Sequence, residues 1–460
     1  MRVGELIRTQ DHPQRDRVFL AALFFVGLGL RWLFADGDPH GDEAWYLYLA
    51  RTFGTEAAAQ GEHPFFHIAN RPLYYAIYHL TTYGGLSGFR LFGCLVGAAL
   101  PVLSFQAARR FGASFACSAI SASMLCLQAQ QLKYAAISFP DVLAAAFALG
   151  ACWALAADSL GLALGLSAAC VASKESFIAL PPMLVLLHLA AGGARLQRRH
   201  WVALACPLLY VATVALLPLV NNSLRMQGWS TTPFTLKLAR NMWVGPELWP
   251  LLAWLAWQRQ AQVLILWLGL PAFYFFWTTL LGRGLAPWYV VGPAAVASVA
   301  AARALHSVAQ ACARRGFNPL WQSLVVGLCA SLFAPLPLYG LARSREQLLH
   351  LNGRLPTPTT APQVTALIAR LKPQHLLLIN CFWAYGYSHL RTDKPSDATW
   401  WHSPQDADAV RERAQHASMV VMCHDAERQQ FEQQLRAWPR ARLLDDGQYL
   451  VLGAIVDGDD

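Results

Sequence analysis

The sequence contains few charged residues, and this scarcity indicates the class of protein. Asp, Glu, Lys and Arg make up only 14% of the 460 residues, whereas 55% of the chain is hydrophobic. Soluble globular domains carry about 25% charged residues, so most of this chain is not built to contact water. The 17 Trp and 14 Tyr fit a bilayer, because both side chains collect at membrane interfaces. The composition therefore predicts a polytopic membrane protein.

Several motifs of soluble enzymes and binding modules are also missing. The sequence has no Walker loop, no Rossmann glycine pattern and no HExxH, so nothing in it supports nucleotide-sugar chemistry at the cytoplasmic face. The ten cysteines form no CxxC pair or zinc-type spacing. A formal charge of +9 does not indicate a nucleic-acid partner, because the basic residues stand in short tracts between apolar runs.

Most cysteines lie in apolar runs, where a thiol packs as a small hydrophobic group. These residues are Cys94, Cys117, Cys126, Cys152, Cys170, Cys206 and Cys329. Cys381 and Cys423 fall in the polar C-terminal part and could form a disulfide in an oxidising compartment.

Apolar runs long enough to cross a bilayer predict about eleven spans. They lie at roughly 18–35, 89–108, 114–132, 141–157, 160–173, 176–192, 201–220, 247–258, 261–281, 286–305 and 320–341. Arginines gather in short segments at 2–17, 109–110, 195–199, 259 and 314–315, which predicts that these segments are cytoplasmic. The long loops at 36–88 and 221–246 and the turns at 133–140, 173–176 and 282–287 then face outward.

The pattern changes after residue 341. Pro356, Pro358 and Pro362 indicate a linker. Three apolar strand candidates follow, at His375–Asn380, Ser418–Cys423 and Tyr449–Val456, with charged helical stretches between them. The prediction is a mostly α transmembrane domain at 1–341, with a small external α/β domain at 342–460.

Two acidic sites stand at predicted helix starts on the external side. Asp42-Glu43 follows the first span and opens an apolar and aromatic stretch that suits a helix in the membrane interface. Asp141 ends a turn that leads into the fourth span. An ionisable residue at a membrane boundary is a functional hypothesis, although each Asp could instead serve as an N-cap.

The order of motifs along residues 18–310 resembles a known family. The acidic pair is followed by Arg71-Pro-Leu-Tyr-Tyr75, Arg90-Leu at the second span, Lys133-Tyr-Ala-Ala-Ile-Ser-Phe-Pro-Asp141 and Ala-Ser-Lys174-Glu175-Ser. This order resembles the polyprenyl-phosphate-dependent membrane glycosyltransferases of the GT-C fold. Within that group it is most similar to protein mannosyltransferases and bacterial aminoarabinose transferase-like enzymes. The resemblance implies the GT-C fold for the membrane domain.

The resemblance also implies roles for particular residues. Asp42 matches the catalytic carboxylate of the first external loop, and Glu43 matches its neighbour. Asp141 matches a second carboxylate and Lys174 a basic residue on the same face. Arg283 stands in Gly282-Arg283-Gly-Leu-Ala-Pro-Trp288-Tyr289, which loosely resembles a basic-aromatic turn, although the usual Arg-Tyr adjacency is broken here.

The chemistry of sugar transfer supports the same residues. Attack on the anomeric carbon requires removal of a proton from the acceptor hydroxyl, which makes Asp42 the predicted general base. The departing phosphate gains charge in the transition state, and Arg71, Lys174 and Arg283 are the predicted cations that stabilise it. Asp141 could orient the acceptor or share the role of base.

The predicted partners are a polyprenyl-phosphate-linked sugar donor and a lipid, glycan or protein acceptor, at the bacterial inner membrane with a periplasmic C-terminal domain. No cofactor is firmly predicted. A divalent metal stays open, because Glu62-His63-x-x-x-His67 has a spacing that permits shared ligation, although Pro64 interrupts a helix there.

Two other functions are compatible with many spans. A transporter or lipid flippase would place ionisable residues at mid-membrane and show paired halves or broken helices. In this sequence the clustered charges lie in predicted external loops, and no halves are duplicated. A noncatalytic envelope-polymer assembly protein is the third hypothesis.

Overall fold

The computed structural model describes residues 13–35, 41–54, 68, 71–192, most of 196–209, 235–281 and 287–333, and mainly five strands in the C-terminal part. The chain divides into two compact units. The first comprises Met1–Asp36 and Ala59–Leu348, and the second comprises Gly37–Ala58 and Leu349–Asp460. The second unit therefore combines the C-terminal part with a segment of the first predicted external loop.

The described part of the first unit is helical. Its helices are α1 (Pro13–Trp32), α3 (Pro72–Thr81), α4 (Gly85–Arg110), α5 (Phe115–Cys126), α6 (Ala129–Ala136), α7 (Pro140–Ala156), α8 (Leu160–Ser173), α9 (Leu180–Ala190), α10 (Leu236–Asn241), α11 (Trp249–Trp257), α12 (Ala261–Leu281), α13 (Val291–Arg314) and α14 (Pro319–Ser331), with α2 (Gly41–Thr52) belonging to the second unit. Short 3₁₀ turns occupy Thr82–Gly84, Glu175–Phe177, Pro246–Leu248 and Pro287–Val290.

Many of these helices coincide with the apolar runs. By length and hydropathy, two described segments could each cross a membrane, Pro72–Arg110 and Trp288–Arg314. A third becomes possible if α6 and α7 form one broken span. Other apolar helical stretches whose side chains are described span 10–17 residues, among them Ala261–Phe276 within α12. The total of about eleven spans stays a prediction.

The predicted span at 114–132 is divided in the structure. α5 ends at Cys126, and α6 occupies residues for which the sequence predicted the end of a span and then a turn. Polar side chains are the reason, because they bond to the backbone of other segments. Gln128 donates to the carbonyl of Asn241, and Gln131 donates to the carbonyl of Val291. The run therefore breaks into two helices.

A sharp bend connects α6 to α7, at an angle of 118°. Ser138 lies in the bend with φ of 54°, a conformation that is uncommon for a residue other than glycine. Two hydrogen bonds hold it there: Tyr74 donates to its carbonyl at 2.6 Å, and its hydroxyl donates to the carbonyl of Phe89 at 2.7 Å. The bend determines where the next residues, including Asp141, begin α7.

α13 lies at the centre of the first unit and packs against α4, α5, α7, α12 and α14. It is rich in alanine and largely buried, which allows neighbouring backbones to approach closely, as in other membrane helix interfaces. Ser298 on this helix contacts the hydroxyl of Ser104, and Ser121 donates to the Ser298 carbonyl at 2.6 Å. These bonds join α13 to α4 and α5.

Gly292 gives the turn after α8 its position. The fully buried ring of Phe177 lies so close to Gly292 that a Cβ there would overlap its Cζ and Cε1 atoms. Phe177 belongs to the 3₁₀ turn Glu175–Phe177, while Gly292 follows the turn Pro287–Val290 closely. The absence of a side chain at Gly292 therefore allows these two turns to lie close together.

The second unit contains α2 and a five-stranded sheet. The strands are β1 (His375–Ile379), β2 (Asp397–Trp401), β3 (Met419–Cys423), β4 (Ala441–Leu443) and β5 (Tyr449–Gly453), in the order β2-β1-β3-β5-β4. β1 runs parallel to β2 and β3, and β5 is antiparallel to β3 and β4. β1, β3 and β5 overlap the three strand candidates of the sequence, whereas β2 and β4 were not predicted. Cys381, half of the hypothesised disulfide, lies outside the described residues.

The overlap at Gly292 predicts a stability effect. Gly292→Ala should lower the melting temperature of the detergent-purified protein, because overpacking a buried contact typically costs about 1–3 kcal/mol. Gly165→Ala is the matched control, since a Cβ at Gly165 in α8 meets nothing within 4 Å. In an exposed helix position this change should be neutral or stabilising. Equal melting temperatures for both variants would contradict the role of Gly292.

Candidate functional site

A cluster of four charged side chains lies where several helices of the first unit begin or end. Arg71 immediately precedes α3, and Asp141 is in the first turn of α7. Lys174 follows the last residue of α8, and Glu175 opens the 3₁₀ turn after it. Because α8 packs against both α7 and α3, these four termini meet although they are distant in sequence.

Glu175 links the two cations of the cluster. The Arg71 guanidinium donates two hydrogen bonds to its carboxylate, from Nε to Oε2 at 3.1 Å and from Nη2 to Oε1 at 3.2 Å. Lys174 Nζ lies 3.7 Å from the same Oε1. Fork-like pairing of this kind is among the stronger ionic interactions in proteins and sets the plane of the guanidinium.

Asp141 is the second acidic neighbour of Lys174. Its carboxylate is 1% exposed, and Lys174 Nζ lies 4.0 Å from Oδ2. Neither carboxylate oxygen has a hydrogen-bond partner within the described ranges. Buried polar groups are normally hydrogen-bonded, so this carboxylate has capacity to accept bonds from a ligand.

The capping interpretation of Asp141 is wrong. Phe139 occupies the N-cap position of α7, Pro140 is at the start of the helix, and Asp141 is already inside the first turn. The carboxylate gains from the positive end of the helix dipole without capping a backbone N–H. Its position is therefore better explained by the charge cluster than by helix formation.

Glu175 carries a permanent charge in this arrangement. Burial alone would raise its pKa, but the neighbouring charges of Arg71 and Lys174 outweigh that effect and lower the pKa to about 2. The Glu175 carboxylate is therefore ionised at neutral pH and remains so down to pH values well below neutral. With Asp141 as a carboxylate, the cluster contains two cations and two anions.

Aromatic side chains form one flank of the cluster. Lys174 Nζ lies 4.9 Å from the centre of the Tyr289 ring, in the range of a cation–π contact. The Tyr289 ring is 5.8 Å from that of Tyr274, whose hydroxyl approaches the Ser176 Oγ at 3.4 Å. Trp288 packs against Phe139 next to Asp141, with ring centres 5.3 Å apart. The Trp288-Tyr289 pair of the sequence motif thus borders the site.

The structure brings together three of the predicted site residues, Arg71, Asp141 and Lys174, in the first unit. Asp42 is the second residue of α2, in the second unit. The helix begins one residue earlier, at Gly41, whereas an N-cap residue would precede the first helical residue. The next residue, Glu43, is buried.

Other predicted residues lie outside the described ranges, namely Arg283, Glu62, His63 and His67. Among the residues that are described, no three His, Cys, Asp or Glu side chains gather as metal ligands would.

Glu175 was not among the predicted site residues. An acid directly after Lys174, at the end of an apolar run, was the available signal. Its role depends on Arg71, which lies 104 positions away in the sequence, so adjacency to Lys174 alone could not reveal it.

The buried contacts predict how substitutions combine. Lys174→Met should destabilise the protein by about 3–5 kcal/mol, because it leaves the Asp141 carboxylate buried without its cation. The double variant Lys174→Met with Asp141→Asn should recover a large part of that loss, since no uncompensated charge then remains at Asp141. Thermal unfolding of both single variants and the double variant measures the coupling. Strict additivity would show that the two side chains do not interact.

The similarity of this chain to known proteins is seen in its structure. No protein-family model matches the sequence, and no curated protein matches it significantly. The structure is similar to that of ArnT from Cupriavidus metallidurans bound to undecaprenyl phosphate, with 16% identity and a TM-score of 0.60. The match covers 98% of this chain and 100% of that one.

A second similar structure is the archaeal oligosaccharyltransferase AglB from Archaeoglobus fulgidus, in complex with an inhibitory peptide and a dolichol-phosphate. Here the identity is 11% and the TM-score is 0.53, over 89% of this chain and 69% of that one. The oligosaccharyltransferase of the same organism in complex with Zn and sulfate gives 11% identity and a TM-score of 0.55, over 88% and 68%. At such identities the likeness establishes the fold, and it confirms that this chain has the GT-C fold.

Proposed function

We propose that this protein is an integral membrane glycosyltransferase that moves a sugar from a polyprenyl-phosphate carrier to a lipid, glycan or protein acceptor at the external face of the membrane. The observation that carries the proposal is the buried cluster of Arg71, Lys174 and Asp141. It occurs in a fold shared with ArnT, whose structure is bound to undecaprenyl phosphate.

Arg71 and Lys174 would hold the donor phosphate. Arg71 presents a planar fork that matches phosphate oxygens, and Lys174 presents a compact charge. Both side chains are buried, at 9% and 1% exposure, and electrostatic attraction is stronger there than in bulk water. Because the phosphate gains negative charge as it leaves, these fixed cations stabilise the transition state more than the bound donor. The resemblance assigns Arg283 to the same role.

Asp42 would act as the general base, an assignment that comes from the order of sequence motifs. It accepts the proton of the acceptor hydroxyl as that oxygen bonds to the anomeric carbon. The bond between that carbon and the phosphate oxygen breaks, and the electron pair stays on the lipid phosphate. A single displacement of this kind inverts the anomeric configuration. Glu43 is the second candidate for the base.

Asp141 suits an orienting role. Its carboxylate oxygens lack hydrogen-bond partners among the described residues, so they can accept bonds from hydroxyls of the acceptor or of the sugar. Lys174 lies at 4.0 Å from one of these oxygens and would bring the carboxylate close to the phosphate. Correct positioning of two reactants contributes substantially to the rate of a transfer reaction.

The location of the charges favours this function over transport. The predicted topology puts the helix ends that carry Arg71, Asp141 and Lys174 at the external side, whereas ionisable residues of a transport pathway are expected at mid-membrane. The proposal places these ends at the external side of a bacterial inner membrane, with the C-terminal unit in the periplasm.

Substitution of the base tests the proposal. Purified protein is supplied with a synthetic polyprenyl-phosphate sugar and candidate acceptors, and kcat is compared between wild type and Asp42→Asn. General-base catalysis contributes about 10²–10⁴-fold, so kcat should fall by at least about a hundredfold. Asp158→Asn is the matched control. Asp158 has φ of 58°, which asparagine also tolerates, and lies between α7 and α8, away from the proposed site.

Equal turnover by wild type and Asp42→Asn would refute the catalytic assignment. Absence of turnover with every acceptor, combined with protein-dependent movement of the intact lipid-linked sugar between leaflets, would instead support a flippase.

A further inference from the structure

We propose a further role for Glu175, as an internal substitute for the donor phosphate. Its carboxylate pairs with Arg71 and Lys174 in the ligand-free site and releases Arg71 when a polyprenyl phosphate binds. This inference rests on the proposed function, since it assumes that the two cations receive a phosphate. It makes Glu175 a positioning residue that acts through Arg71.

The first support is the pairing of Arg71. Its Nε and Nη2 both donate to the Glu175 carboxylate, at 3.1 and 3.2 Å. This edge of the guanidinium is well suited to binding two oxygens of a single oxyanion. A phosphate that uses the same edge therefore competes directly with Glu175.

The second support is that both proposed phosphate-binding cations contact the same carboxylate. Lys174 Nζ is 3.7 Å from Glu175 Oε1, the oxygen that also accepts from Arg71 Nη2. The carboxylate thus occupies a position between an arginine and a lysine, as a phosphate would. The Glu175 carboxylate and a phosphate also share one chemical property, since each can offer anionic oxygens to both cations.

Among the described side chains, the charge balance favours the movement of one carboxylate. Two cations and two carboxylates already neutralise each other in the cluster, with Lys174 within 4.0 Å of both acids. A phosphate that joined them without displacement would bring a third anion into a buried region, and like charges there repel strongly. Displacement of one carboxylate restores the balance.

Glu175 is the carboxylate that can leave. Its side chain is 28% exposed, whereas that of Asp141 is 1% exposed. Glu175 also lies in a short 3₁₀ turn, while Asp141 lies within α7. Rotation of the Glu175 side chain can return its charge to solvent without disturbing a helix, so the exchange requires little rearrangement.

The exchange lowers the affinity for phosphate but keeps the two cations ordered in the ligand-free protein. The pair that Glu175 makes must be broken before Arg71 can bind, which lowers the apparent affinity for phosphate. In return, both buried cations remain paired and oriented when no donor is present. The same carboxylate then competes for Arg71 with the phosphate product after transfer, and so favours its release.

Binding measurements on Glu175→Gln test the inference. The ligand is a polyprenyl monophosphate without sugar, added to detergent-purified full-length protein, and the Kd is read by thermophoresis. If Glu175 holds Arg71 in about nine of ten ligand-free molecules, the variant should bind about tenfold more tightly than wild type. Its melting temperature without ligand should be lower, because the Arg71 pair is lost. A purely structural role would not produce tighter binding together with lower stability.

Two controls make the result specific. Glu247→Gln removes a glutamate that pairs with Arg240, at 3.3 Å, rather than with Arg71 or Lys174, and it should leave the Kd unchanged. A polyprenol of the same length, which lacks the phosphate, should bind wild type and Glu175→Gln equally. Inorganic phosphate should show the same gain in the variant as the lipid, if the phosphate rather than the chain competes with Glu175.

A second variant guards against misfolding of the first. Glu175→Asp keeps the charge but shortens the side chain by one methylene, so it should weaken the Arg71 pair and give an intermediate Kd. Unchanged or weaker binding by the Gln and Asp variants, with wild type binding normally, would overturn the exchange and leave the proposed function intact. Failure of wild type to bind polyprenyl phosphate would overturn both.

Discussion

The pairing of buried charges is the constraint on which this site depends. Lys174 is almost completely buried, and a buried ammonium is stable only beside anions. Asp141 and Glu175 supply them, and Glu175 in turn requires Arg71. The starts of α3 and α7 and the end of α8 therefore meet at one point. Displacement of any of these termini would separate a charge of the cluster from one of these partners.

Small residues and irregular backbone make that meeting possible. Gly292 leaves room for Phe177, which positions the turn containing Glu175. Ser138, with its positive φ, forms the bend that starts α7 just before Asp141, and Tyr74 from α3 binds the same bend. Neither Gly292 nor Ser138 belongs to the charge cluster itself. Both determine distances of a few ångströms between charges, and electrostatic interactions in a low-dielectric environment depend steeply on such distances.

The cluster also explains how the proposed phosphate site can exist before a phosphate arrives. Two buried cations without counterions would be strongly destabilising, so a protein with the proposed function needs internal anions. Asp141 is held within a helix, whereas Glu175 is partly exposed on a short turn. One acid is suited to remain and the other to exchange. This division of roles unites the proposed function with the resting structure.

The sequence alone determined much of the helical framework, because an apolar run must lie in lipid or in the interior. The run at 160–173 is helix α8, and the run at 141–157 is α7 to within one residue. Motif order also selected Arg71, Asp141 and Lys174. Only the tertiary structure decided that Asp141 is not an N-cap, that the run at 114–132 breaks near Gln128, and that Glu175 pairs with Arg71. The physical reason is that hydrophobicity is a property of each segment, whereas an ion pair depends on which segments pack together.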